Sequence, residues 1–119
     1  CSSDLNMKFE DRWTTKALLK NQQVKIKNWY WDTMVAAHIL DCRDDITGLK
    51  FQSFVRLGQF CYNEKVDVYL KSSQKGGNTN NQIEKINWQD LLMYNGLDAY
   101  LEYLVADSQL QEMGLNSIL

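Results

Sequence analysis

Tyr94-Asn95-Gly96-Leu97-Asp98 lies inside the long apolar-periodic segment that closes the sequence, and this segment predicts a helix. A tyrosine and an aspartate four residues apart share one face of a helix, one turn from each other. The pair places a carboxylate that can bind a hard cation beside a phenol that can hydrogen-bond a water on that cation. Gly96 costs about 1 kcal/mol relative to alanine in a helix interior, which indicates that another group approaches the backbone closely. Taken alone, the five residues also fit an amphipathic helix with a surface aspartate and a half-buried tyrosine.

Composition and charge are those of a soluble globular protein. The 119 residues are 45% hydrophobic and 24% charged, and no apolar run approaches the length of a membrane span. We expect one domain or part of one, long enough to bury a core. The net charge of −2 argues against a protein that coats nucleic acid through a broad basic surface. It is compatible with an enzyme that holds one strand end, because metal-binding carboxylates make such sites acidic.

Periodic apolar residues predict helices along most of the chain. Asp32 directly precedes one of them and is interpreted as its N-cap rather than as a ligand. Gly58 stands where a C-cap is expected, and Asn87 followed by Asp90 resembles a capping box for the last helix. The predicted helices cover residues 6–20, 33–42, 49–57, 64–70 and 87–113.

One segment has the pattern of a half-buried strand. Residues 24–27 alternate apolar and basic side chains and run into the aromatic residues 29–31. Because a strand with a single partner is marginal by itself, we expect further strands of the same domain to lie upstream of Cys1. Cys1 in place of methionine also indicates a processed or partial chain. Residues 72–81 carry no apolar side chain and predict a flexible surface loop.

Three segments resemble, in order, the motifs of a known family. Asn6-Met7-Lys8-Phe9-Glu10 resembles the second exonuclease motif of the proofreading domains attached to family A (DNA polymerase I-like) polymerases. Trp31-Asp32-Thr33-Met34 resembles the "FDTM" step of that family, and residues 47–57 resemble the helix that follows it. Tyr94 and Asp98 match the third motif, a tyrosine and an aspartate separated by three residues. The segments "KFEDRW" and "GLDA" are most similar to the corresponding segments of phage-type polymerases.

The resemblance implies a member of the DEDD exonuclease superfamily, tyrosine subtype, with an α/β ribonuclease H-like fold. Residues 1–119 would be the C-terminal part of a single 3′–5′ exonuclease domain, truncated so that they are mostly helical with one or two strands. The sequence departs from the family pattern in two ways. The first motif, an Asp-x-Glu on a strand, is absent, and Glu10 stands where the family more often has aspartate.

The activity implied by the resemblance is hydrolysis of phosphodiesters at DNA 3′ ends, as proofreading for an attached polymerase. Two divalent cations per complete site, Mg²⁺ or Mn²⁺, would support it. Asp98 would bind the metal that carries the nucleophilic water, and Tyr94 would orient that water. Glu10 would support the second metal, and Asn6 would contact the terminal nucleotide or brace the site. Without the Asp-x-Glu pair, the chain by itself is expected to be inactive.

Helical geometry favours Glu10 over its neighbour Asp11 as the acid of the second motif. Consecutive helical residues point about 100° apart, so the two carboxylates cannot face one metal pair. Asn6 and Glu10 share a face beside the apolar stripe, whereas Asp11 is expected to point toward solvent.

The expected partners are a DNA 3′ end, the rest of the exonuclease domain and a polymerase domain in the parent chain, with no membrane. Three cysteines without a CxxC pair favour a reducing compartment, and the resemblance implies the cytoplasm of a bacterium or of a phage-infected cell. Three alternatives remain open. They are a ribonuclease H-like domain that has lost catalysis and only positions DNA or a partner domain, a ribonuclease D-like RNA 3′ exonuclease, and a helical interaction module.

Overall fold

The computed structural model describes residues 11–12, 28–70 and 82–118, and the described residues form helices joined by short connections. One long helix organises them, since each of three shorter helices packs against it. Asp11 and Arg12 are helical as well. The elements that follow them are α1 (Thr33–Leu40), α2 (Leu49–Leu57), α3 (Glu64–Leu70), a 3₁₀ turn (Ile83–Lys85) and the 25-residue α4 (Trp88–Glu112).

Local capping sets the boundaries of these helices. The Asp32 carboxylate accepts a hydrogen bond from the backbone N–H of Val35 at 3.0 Å, which satisfies one of the free donors at the start of α1. At the end of α2, Gly58 adopts the left-handed conformation (φ 68°) that glycine enters without steric penalty. Asn87 caps α4 by accepting from the backbone N–H of Gln89 at 2.9 Å. The capping roles predicted for Asp32, Gly58 and Asn87 are confirmed.

The described residues form two hydrophobic core clusters, and both include side chains of α4. The first cluster contains Leu49 of α2 with Leu101 and Val105 of α4. The second contains Val66 of α3, Ile86 and Tyr94. The side chain of Tyr62, in the connection between α2 and α3, packs against both clusters. This one side chain therefore joins the two halves of the core.

The prediction of an α/β fold with one or two strands is wrong for the part of the chain that the structure describes. Residues 28–70 and 82–118 contain no strand. Of the predicted strand, residues 24–27 lie outside the described residues, and the aromatic residues 29–31 that should end it are in an irregular connection before α1. Trp31 is held there by a side-chain hydrogen bond to Gln109 of α4 rather than by a strand ladder. Trp29 and Tyr30, which precede Trp31, are exposed.

Within the described ranges, no helix is both long enough and apolar enough to span a membrane.

Candidate active site on the longest helix

The candidate site lies on one face of α4, where three side chains follow each other at four-residue spacing. Tyr94 is buried (7% exposed) in the second hydrophobic cluster, and Asp98 and Glu102 are half-buried one and two turns further along. The predicted pair, Tyr94 and Asp98, therefore shares one helix face. Of the pair, the tyrosine belongs to the core and the carboxylate lies at its edge.

Tyr62 holds the carboxylate of Asp98. Its hydroxyl donates a hydrogen bond to Asp98 Oδ1, and its ring lies against the ring of Tyr94 with the centroids 6.1 Å apart and the planes inclined by 26°. Burial raises the pKa of the Tyr62 phenol well above its usual value, and the hydrogen bond to Asp98 and the negative charges of Asp98 and Glu102 raise it further. The phenol consequently stays protonated and remains a donor to the carboxylate.

Lys50 places a positive charge beside the ring of Tyr94. Its ammonium lies 5.9 Å from the centroid of the Tyr94 ring, within the range of a cation–π interaction. It also forms an ion pair with Asp67, with Nζ and Oδ1 3.1 Å apart. Lys50 comes from α2 and Asp67 from α3, so this pair links the two helices beside the site.

Glu102 is connected to the start of α1. Thr33, the first residue of α1, donates a hydrogen bond from Oγ1 to Glu102 Oε1. The same threonine accepts at its backbone oxygen a hydrogen bond from the Gln109 amide at 2.9 Å. The "WDTM" segment thus reaches the face of α4 through Thr33, while Asp32 serves as the helix cap.

The second-motif residues of the predicted site cannot be placed against Asp98, because Asn6 and Glu10 lie outside the described residues. Asp11 is exposed. In the described ranges no group of three or more His, Cys, Asp or Glu side chains could hold a metal ion. Asp98 Oδ2 takes no hydrogen bond or ion pair from the described residues, so this oxygen is a possible ligand for a cation.

Gly96 faces away from these side chains, on an exposed apolar surface of α4. A Cβ atom added there would meet nothing within 4 Å, so no described residue makes the close approach that the glycine predicted. The side chains around it are strongly exposed, between 59% and 67%. They are Trp88, Leu92, Met93 and Tyr100.

An apolar pocket of about 380 Å³ adjoins the candidate site. Tyr62 and Lys50 line it on the side that faces Asp98 and Tyr94, so the pocket and the site share two side chains. The exposed rings of Phe54 and Phe60 line it as well, 5.5 Å apart in an edge-to-face arrangement. Such a pocket is large enough for a small planar group.

Sequence reasoning missed Tyr62, Lys50 and Glu102. Glu102 could have been found, since it extends the four-residue spacing from Tyr94 through Asp98 by one turn. Tyr62 is 36 residues from Asp98, and no local pattern marks a contact that depends on how the connection between α2 and α3 packs.

The fold and the site define a helical domain that presents a tyrosine and an aspartate on one face of its longest helix. No protein-family model matches this sequence, and no curated protein or solved structure matches it either.

Proposed function

We propose that this chain is part of a 3′–5′ exonuclease domain that hydrolyses phosphodiesters at DNA 3′ ends and proofreads for an attached DNA polymerase. Three segments that resemble the motifs of the exonuclease family occur in the expected order in the sequence. The observation that carries the proposal is the state of the Asp98 carboxylate. One oxygen is held by Tyr62, and the other takes no hydrogen bond from the described residues, beside Tyr94 on the same face of α4.

Asp98 supplies a metal-binding oxygen in this proposal. A carboxylate is a hard ligand of the kind that Mg²⁺ and Mn²⁺ accept together with water and phosphate oxygens. Two such cations, if held in a complete site, would supply activation of the water and stabilisation of the leaving oxygen of the phosphodiester. Tyr94 orients the attacking water, and its buried ring, stacked on Tyr62, fixes the position from which it does so.

The other ligands come from outside the described residues. Glu10 supports the second cation, and Asn6 contacts the terminal nucleotide or braces the site. An Asp-x-Glu pair, which the 119 residues do not contain, is supplied by the rest of the exonuclease domain. Glu10 and the Asp-x-Glu pair, three carboxylates from two segments, would then join Asp98, as a pair of cations requires.

The pocket beside Asp98 supports a nucleic-acid end as the substrate. Phe54 and Phe60 are 50% and 74% exposed, and exposed aromatic rings bind single-stranded nucleic acid by stacking on its bases. Lys50 lies between this pocket and the Tyr94 ring and offers a positive charge to a phosphate. With a net charge of −2, a single strand end is a better fit than a long duplex.

The test is degradation of 5′-labelled single-stranded DNA by the natural full-length protein that contains these residues, with Mg²⁺ or Mn²⁺. We expect shortening from the 3′ end. Asp98→Ala should abolish it, and Tyr94→Phe should lower it less, because the phenol does not bind the metal. Asp90→Ala, on the same helix but paired with Lys65, is the matched control and should leave the rate unchanged. Polymerase activity should survive all three substitutions.

Three results would contradict the proposal. They are DNA binding without metal-dependent hydrolysis, degradation of RNA but not of DNA, and full activity of the Asp98→Ala variant. The 119-residue chain alone should be inactive in the same assay because the Asp-x-Glu pair is missing. Activity of the isolated chain would show that the site has been misplaced.

A further inference from the structure

We propose that Tyr62 is a positioning residue for the metal-binding carboxylate, which it orients by holding Asp98 Oδ1 so that Oδ2 receives the cation. The inference rests on the proposed exonuclease function and extends it to a residue that no exonuclease motif in the sequence contains. Tyr62 does not touch the metal or the DNA in this role. It acts only through Asp98.

The packing of Tyr62 leaves its hydroxyl little freedom. The Tyr62 side chain packs against both hydrophobic clusters. Stacking on Tyr94 fixes the plane of the ring. The hydroxyl therefore meets Asp98 from one direction, and a carboxylate that accepts a hydrogen bond from a fixed donor loses most of its rotational freedom.

The hydroxyl of Tyr62 donates to an oxygen of the Asp98 carboxylate. Hydrogen bonds from a hydroxyl to a carboxylate are stronger than those between neutral groups.

This contact gives the two carboxylate oxygens of Asp98 different roles. Oδ1 is occupied by the Tyr62 hydroxyl, and Oδ2 takes no hydrogen bond from the described residues. Asp98 should then bind one cation through a single oxygen. Losing the hydrogen bond that orients a ligating carboxylate typically weakens metal affinity by about 10- to 100-fold.

The experiment is a Mn²⁺ titration of the natural full-length protein that contains these residues, selectively labelled and followed by the paramagnetic broadening of amide resonances around Asp98. Tyr62→Phe keeps the ring and its stacking but removes the hydroxyl. We expect its apparent Kd for Mn²⁺ to rise about 10- to 100-fold relative to the wild type. Tyr69→Phe is the matched control, because it removes from the second cluster a hydroxyl that makes no hydrogen bond with the described residues, and its Kd should not change.

Urea unfolding of each variant separates positioning from stability, because a purely structural role would change unfolding but not the Kd of the folded protein. Equal Kd values for the wild type and Tyr62→Phe would overturn the inference and leave the proposed function standing. An Asp98→Asn variant that binds Mn²⁺ as the wild type does would overturn the metal role of Asp98, and with it the proposed function. A wild-type full-length protein whose resonances near Asp98 are unaffected at millimolar Mn²⁺ would overturn both.

Discussion

The indole of Trp31 donates a hydrogen bond to the side-chain amide oxygen of Gln109, with Nε1 and Oε1 3.0 Å apart. Gln109 is fully buried, and its amide nitrogen donates in turn to the backbone oxygen of Thr33 at 2.9 Å. One glutamine near the end of α4 thereby holds both the approach to α1 and its first turn. A buried amide with both ends satisfied stabilises the fold chiefly because removing it leaves its partners unpaired.

Replacing Gln109 should therefore lower the stability of the fold. Gln109→Ala removes two hydrogen bonds and leaves a cavity, so we expect the free energy of unfolding to fall by about 2–4 kcal/mol. Urea unfolding measures the loss. Trp31→Phe removes the indole donor and part of the ring but leaves the bond from Gln109 to Thr33, so it should cost less. The two substitutions together should cost less than the sum of their separate effects because they share one hydrogen bond. Strict additivity would argue against the contact.

Alkaline pH should weaken the contribution of Tyr62 to stability. The folded protein raises the pKa of its phenol above the unfolded value of about 10, so the stabilisation is complete below pH 10 and is lost as the pH rises further. The difference in unfolding free energy between wild type and Tyr62→Phe, about 1.5–3 kcal/mol at neutral pH for a hydrogen bond to a charged acceptor, should shrink above pH 10. Urea unfolding at intervals from pH 8 to 11 measures it. A difference that grows with pH would contradict this.

Gly96→Ala distinguishes packing from function at the exposed face of α4. A Cβ atom at this position meets nothing within 4 Å, and alanine is favoured over glycine in a helix interior, so we expect a gain of about 1 kcal/mol in the unfolding free energy. Thermal or urea unfolding of the chain measures it. If the stabilised variant of the full-length protein also loses exonuclease activity, the glycine is kept for a close approach by another part of that protein or by DNA. A destabilised variant would mean that the Gly96 backbone is constrained in the chain itself.

The second exonuclease motif can be tested by exchanging its two neighbouring acids. Glu10→Gln in the full-length protein should cripple exonuclease activity, because Glu10 follows the aromatic residue of the motif and its spacing predicts that it shares a helix face with Asn6. Asp11→Asn should be nearly neutral, since Asp11 is exposed. Nucleotide release from a labelled DNA 3′ end, measured for both variants, decides between them. The reverse outcome would show that the register assigned to this motif is wrong.

The parts of the fold that the sequence predicts are those set by short-range chemistry. Asp32, Gly58 and Asn87 cap their helices as expected, because a cap depends on residues two to five positions away. The strand prediction failed at residues 29–31 because an aromatic run is compatible with either a sheet or packing against helices. In this chain Trp31 forms a long-range hydrogen bond with Gln109 of α4 and does not belong to a strand.

The candidate site divides in the same way. The spacing of Tyr94 and Asp98 placed them on one helix face, and the same spacing could have added Glu102. Tyr62 and Lys50 could not be predicted, because their contacts with Asp98 and Tyr94 arise only when α2 and the connection to α3 pack on α4. The face of a helix on which a residue lies can be predicted from residue spacing, whereas contacts between helices depend on how the whole core packs.

Tyr62 packs in both halves of the core and bonds the candidate catalytic carboxylate, and this shared use has an evolutionary consequence. Selection for folding requires the ring, and selection for the carboxylate requires the hydroxyl. If the proposed function holds, tyrosine should persist at this position in lineages that keep exonuclease activity. In lineages that have lost it, phenylalanine should replace tyrosine freely while alanine or polar residues stay excluded. The residue found at this position in a related protein would therefore indicate whether selection there acts on folding alone or also on the Asp98 carboxylate.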